Sequence, residues 1–349
     1  MKKKENTQCK ASVGGQALME GILMRGPESY AISLRLPDGS IDTTSKKVRP
    51  IKDKYKILGW PLIRGIVSFV ESMTLGYKSL MESVEKTSLD DVVGQAAESR
   101  FEKWLNKHFG EKLTAIIGTI AAILGFGLAF LLFFWLPTFI FNLLKDNFGV
   151  DIIWKTVLEG GIRIVLFVSY MALTSLMKDI KRMYKYHGAE HKTIFCFENG
   201  LELTVENVRK QKRFHPRCGT SFLFVMIILS IVVSSVILFI FPGLAGKNLL
   251  WVAVKLMIVP VIMSLGFEFI RYAGRHDNIF VKILSAPGLW MQRITTKEPS
   301  DDIIEVAIQA LKAVVLPAEK ANEEAAEENI IEETPVSVQE PVTDSIDTL

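Results

Sequence analysis

Cysteine and histidine are scarce in this sequence, and their scarcity excludes more than it permits. Three cysteines (Cys9, Cys196 and Cys218) in 349 residues are too few, and odd in number, for a disulfide framework; reduced thiols or a metal ligand fit better. Phosphate-cradling signatures are missing too. Gly14-Gly-Gln-Ala-Leu-Met-Glu20-Gly-Ile-Leu-Met-Arg25-Gly-Pro27 is glycine-rich, but it is neither a Walker loop nor a dinucleotide fingerprint. It reads first as a tight-turned β-segment, and second as a substrate-contacting loop offering Glu20 and Arg25. No apolar run follows Met1-Lys-Lys-Lys, so no cleaved signal peptide is expected. Aromatics are absent from Ala318 onward, where glutamates dominate; that tail is expected to be disordered.

Charge is also missing, in blocks. Leu113 to Leu136 holds 24 residues without one, enough to cross about 30 Å of hydrocarbon at roughly 1.5 Å per residue. A second span is expected at about Thr156–Met177, where Glu159 and Arg163 sit four apart and pair on one face. The third is the clearest, with no charge between Arg217 and Lys247. The fourth, about Leu249–Ile270, carries Lys255, expected to snorkel outward, and Pro260, expected to kink the helix.

Lysine and arginine set the orientation. The segment before the first span holds 19, the first loop two, the second loop (178–217) ten and the third one. That alternation predicts both termini in the cytoplasm. The net charge of +3 hides a basic first half and an acidic end.

What remains lies at the ends of these spans. Tyr30 to Leu36 alternates, Pro37-Asp-Gly-Ser turns and Ile41 resumes, which predicts a β-hairpin. Ile57 to Met81 is apolar but carries Arg64, Glu71 and Lys78. It reads as an amphipathic helix at the membrane surface or against the bundle, or as a buried helix. Ser88–Lys112 reads as a charged helical segment and Asp301–Val315 as a helix. The expected fold is mainly α: an integral membrane bundle of about four transmembrane helices with a small cytoplasmic N-terminal α+β element. The expected divisions are 1–112, 113–272 with its loop 178–217, 273–316 and the tail 317–349.

The sharpest chemical signal is His187-Gly-Ala-Glu190-His191, on an expected helical extension of the second span. Residues i and i+4 share a helix face, so both imidazoles reach one ion. The order H-x-x-E-H is that of inverzincin metalloproteases, in which the glutamate serves as general base. His215-Pro-Arg-Cys218 follows after 23 intervening residues and offers a third ligand from His215 or Cys218. Imidazoles with a cysteine favour zinc. Glu268, with Arg271 three residues on, either pairs at the interface or completes the metal shell. Three readings stay open here: interfacial histidines without metal, a closed structural site of His187, His191, His215 and Cys218, and an open catalytic site with Glu190 as base. A transporter is a further alternative, from the charges inside the spans.

These motifs occur together elsewhere. Gly14-Gly-Gln-Ala with Met19-Glu-Gly and Met24-Arg-Gly-Pro, His187-Gly-Ala-Glu-His-Lys, His215-Pro-Arg-Cys-Gly-Thr-Ser, and Ala286-Pro-Gly-Leu-Trp-Met-Gln with Thr295-Thr-Lys-Glu-Pro resemble the YqhQ family. The resemblance covers about residues 11 to 315. It implies a bacterial inner-membrane protein of a family of unknown function, one labelled as predicted metal-dependent enzymes. It points to His187, Glu190, His191, His215 and Cys218, and more loosely to Glu20 and Arg25. The expected partners are the lipid bilayer and an unidentified protein or substrate, with a homo-oligomer open and no nucleic acid.

Overall fold

The computed structural model describes residues 13–48, 51, 55–60, 63–87, 119–216, 218–273, 276 and 278–315. Four strands, Gly14–Leu18 (β1), Gly21–Arg25 (β2), Ser29–Arg35 (β3) and Ile41–Lys47 (β4), form an antiparallel meander in sequence order. Successive side chains of a strand point to opposite faces. Leu18, Leu23, Ile32 and Leu34 therefore line one face, and Ile22, Met24 and Ala31 the other. The expected hairpin at Pro37–Ser40 is present, and the glycine-rich segment is a second hairpin that turns at Met19-Glu20.

The helices are Ile63–Thr87 (α1), Thr119–Phe148 (α2), Lys155–Thr174 (α3), Lys178–Glu198 (α4), Val205–Arg209 (α5), Gly219–Ile240 (α6), Asn248–Ala273 (α7), Ile279–Thr295 (α8) and 301–315 (α9). Four of them, α2, α3, α6 and α7, are long and apolar enough to cross a membrane. Their outward surfaces are studded with exposed residues such as Phe126, Phe239, Leu249 and Met257. Such a surface is a liability in water and the ordinary condition in hydrocarbon. The fold is thus a four-span helical bundle with a small N-terminal sheet. Ser88–Lys112, the first residues of the expected first span (113–118) and the tail lie outside the described residues.

Several local expectations are corrected. The helix of the first span, α2, does not end at Leu136. It runs on to Phe148 through a π turn at Leu131–Trp135. Pro137 has no N–H for the carbonyl four residues back, and Arg163 Nε donates to that Phe133 oxygen at 2.9 Å instead. Arg163 therefore does not pair with Glu159. Lys255 does so, donating to Glu159 at 2.5 Å, and it is buried rather than snorkelling. α4 is not an extension of the second span. Ser175 and Thr174 bond back to carbonyls of the previous turn, and Met177 is extended, so the chain breaks before Lys178.

At the end of the bundle where α3 stops and α6 starts, the sheet lies between two helical layers. α1 covers the Leu18/Leu23 face with Leu75 and Leu80. The other face packs with α4 and α9 in the main core, where Tyr186, Ala189, Ile194, Ile303, Ile304, Val306 and Leu311 are buried. α1 also crosses to the bundle: Gly65 abuts Ser264 of α7, and Arg64 holds Glu268 through a two-pronged ion pair at 2.5 and 2.6 Å. α8 packs along α6.

Candidate metal centre

Three elements meet at one point: the middle of α4, the residue capping α6, and the end of α8. On α4, i and i+4 spacing puts His187 and His191 on one face, with ring centroids 4.5 Å apart. Cys218 is the N-cap of α6, and its Sγ lies 3.1 Å from His187 Nε2. The ligand atoms of His187, His191 and Cys218 all lie within 4.8 Å of one another.

Both rings are oriented from behind. His187 Nδ1 meets the Thr295 carbonyl at 2.9 Å, and His191 Nδ1 meets the Arg213 carbonyl at 2.5 Å. A carbonyl on Nδ1 fixes the tautomer that carries its proton there and leaves Nε2 as a lone-pair donor. His191 Nε2 is buried with no hydrogen-bond partner, a costly condition unless something takes the lone pair. A thiol and two oriented imidazoles, one of them with an orphaned Nε2, make a three-donor set whose chemistry fits zinc.

The charges agree. Burial opposes charge on His187, but the adjacent Cys218 sulfur and then Glu190 outweigh it and push the imidazole up to about 9. Burial likewise opposes the Cys218 thiolate, and His187 and His191 overcome it and hold the thiol well below its usual range. Both shifts favour a thiolate on Cys218 beside His187, 3.1 Å away. Burial raises Glu190 above the ordinary carboxylate range, against the pull of His187 and His191. A raised carboxylate beside a candidate metal is suited to accepting a proton.

The remaining expected residues are dispersed. His215 is buried, but its Nε2 faces Glu198 at 3.5 Å and stands outside the three-atom group. Burial and the neighbouring His191 push it down to about 4. Its backbone is clamped from α8: Gln292 accepts from the His215 N–H and donates to its carbonyl, both at 2.7 Å. Glu190 projects from α4 against β1, where a Cβ on Gly15 would stand 2.9 Å from its Cγ and Cδ. Glu20 sits at φ 50 in the β1–β2 turn, a strained position for a residue with a side chain. Arg182 of α4 forks onto its carboxylate, and Tyr186 OH donates to it at 3.1 Å. Glu20 thus ties the sheet to α4 one turn before His187. Arg25 faces α1, with Ser72 Oγ 3.5 Å away. Glu268 is engaged by Arg64, away from the donors; Arg271 is in the last turn of α7.

The supporting groups, Thr295, Arg213 and Gln292, escape a sequence reading because two of them act through backbone carbonyls. Gln292 and Thr295 stand within the family-like motifs, but nothing in their chemistry marks them. Gly188 is a further hidden constraint. A Cβ there would run into the Lys297 carbonyl oxygen, where the chain crosses α4 and the Lys297 N–H bonds Tyr184. Gly188→Ala is expected to destabilise the protein by about 1–3 kcal/mol through overpacking, read as a lower midpoint of thermal unfolding in lipid nanodiscs. An unchanged midpoint would mean that this crossing is loose.

The family described as "Protein of unknown function (DUF1385)" matches residues 60–316, a stretch that includes every donor of the cluster and its α8 supports. The "Uncharacterized protein YqhQ" of Bacillus subtilis (strain 168) is 33% identical over 307 residues, covering 86% of this chain and 92% of that protein. No solved structure matches. With its spans and donor cluster inside the matched stretch, and with this relative alike along most of its length, the chain belongs to the DUF1385 family.

Proposed function

We propose that the protein is a membrane-embedded, zinc-dependent hydrolase whose site opens at the cytoplasmic face, with both termini on that side. The observation that carries this reading is the convergence of His187, His191 and Cys218, with both imidazoles fixed through Nδ1 and the His191 Nε2 left unpaired. Three protein ligands and room for one more are what a catalytic zinc site uses. Zinc held by His187, His191 and Cys218 would supply Lewis acidity and would lower the pKa of a nearby water towards neutrality. Glu190, one residue before a ligand and raised by burial, takes the proton of the attacking water and returns it to the leaving group. The alternation of basic loops supports the orientation.

A specific observation favours a second reading, a structural staple. The donors are buried, His191 at 1% and Cys218 at 8% exposure, and they join α4, α6 and, through Thr295, α8. In that reading the protein is a scaffold or assembly factor, and Glu190 has no chemical part.

The experiment is metal content of the purified full-length protein, compared for wild type, Glu190→Gln and His191→Ala, beside rescue of a deletion strain. The hydrolase keeps stoichiometric metal in Glu190→Gln but loses rescue. The staple loses both only in His191→Ala. Wild-type protein without stoichiometric metal would end both readings.

A further inference from the structure

A cleft of about 300 Å³ opens between the β1–β2 hairpin and α1; Gly15 in its lining backs onto Glu190 across the sheet, and none of the three metal donors lines it. We propose that its occupant is the chain's own acidic C-terminal segment, residues 316–349, bound in cis. The proposal goes beyond the metal-centre reading and does not depend on it.

Three observations converge. The first is chemistry. The cleft is lined by Gly15, Gln16, Leu23, Arg25 and Ser72 among others, and among the described residues no carboxylate lines it. Among the described residues Arg25 has one long contact, at 3.5 Å to the exposed Ser72, so its guanidinium has capacity for a carboxylate, the partner its planar fork suits. Residues 316–349 carry ten carboxylate side chains against one lysine, Lys320, with pairs at Glu323-Glu324, Glu327-Glu328 and Glu332-Glu333.

The second is where the chain emerges. α9 runs to residue 315. The Val314 side chain fills the space that a Cβ on Gly26 would take, 2.5 Å from that position, and Gly26 lines the cleft. α9 therefore ends at the same end of the sheet as the cleft but on the opposite face, and the segment that follows reaches the cleft by passing the β2–β3 turn or the β1 edge, at up to about 3.5 Å per residue.

The third is an open backbone. Among the described residues β1 has one neighbour, β2. The two-residue turn sets Leu18 opposite Gly21, so Leu18, Gln16 and Gly14 bond to β2. Gly15 and Ala17 then direct their N–H and C=O away from the hairpin. Such an edge pairs with an extended chain, and at Gly14 nothing lies within 4 Å of where a Cβ would stand.

The test uses the full-length protein in nanodiscs with a photo-crosslinking benzoylphenylalanine at Ser72. Mass spectrometry should map crosslinks to residues 318–349 of the same chain. Loss of one charge-assisted contact, worth about 1.5–3 kcal/mol, should cut their yield roughly tenfold or more in Arg25→Glu. Glu323, Glu324, Glu327 and Glu328 changed together to Gln should do the same while leaving the folded body untouched. Crosslinks that avoid the tail, that join the tail of a second copy, or that ignore both charge changes would overturn the proposal.

Discussion

Cys218→Ser is expected to weaken zinc binding by roughly 100-fold or more in competition with a chromophoric chelator, while His215→Ala changes it only a few-fold. Structural zinc is held by about 10–16 kcal/mol in small sites. Divided over four bonds that is about 3 kcal/mol per ligand, or about 100-fold per ligand lost. Cys218 is in the converging group, and its sulfur lies on His187. His215 shares its loop and its chemistry, yet its Nε2 faces Glu198, so removing the ring leaves the three donors in place. The loop stays seated because Gln292 grips the backbone of residue 215, which alanine retains. An equal loss in His215→Ala would mean that the ring turns inward when metal binds, and the three-donor description would have to give way to four.

That contrast marks the border between what the sequence discloses and what it withholds. Helical spacing alone makes His187 and His191 a pair, because i and i+4 are neighbours on any helix. The four spans are equally legible: a run without charge from Arg217 to Lys247 has few homes other than lipid, and α6 fills it. The β-hairpin at Pro37–Ser40 follows from alternation and from turn residues. Long-range pairing is not legible. Glu159 and Arg163 have the right spacing to pair, yet each finds a stronger claim elsewhere. Pro137 orphans a carbonyl that Arg163 reaches, and Lys255 comes across from another helix to Glu159. Glu268 resembles a ligand in the sequence only because nothing there shows that Arg64, some 200 residues away, takes both of its oxygens. Choosing between His215 and Cys218 depends on how a loop turns, and a glutamine on α8 fixes that turn.

The buried pair inside the bundle carries the second large expectation. Lys255→Met alone should destabilise the protein by about 3–5 kcal/mol, and adding Glu159→Gln should recover much of that loss. Glu159 is 2% exposed and Lys255 4%. The carboxylate accepts from Lys255 at 2.5 Å and from Trp251 Nε1 at 3.2 Å, and the ammonium also donates to Thr138 at 3.0 Å. One Glu159 oxygen has no hydrogen-bond partner, so the site is already short of donors. Removing the lysine strands a carboxylate among α2, α3 and α7, where its solvation cannot be replaced. Removing both charges leaves an amide beside a thioether, a far smaller penalty. Arg163 and Lys155 nearby do not rescue the single variant, because backbone carbonyls and side-chain oxygens already hold them. Unfolding midpoints in nanodiscs for both single variants and the double variant give the coupling directly. If the double variant falls by the sum of the singles, the pair contributes nothing as a pair. If both singles are as stable as wild type yet the cell loses the protein's activity, the pair serves function rather than the fold, and the transport reading regains its footing.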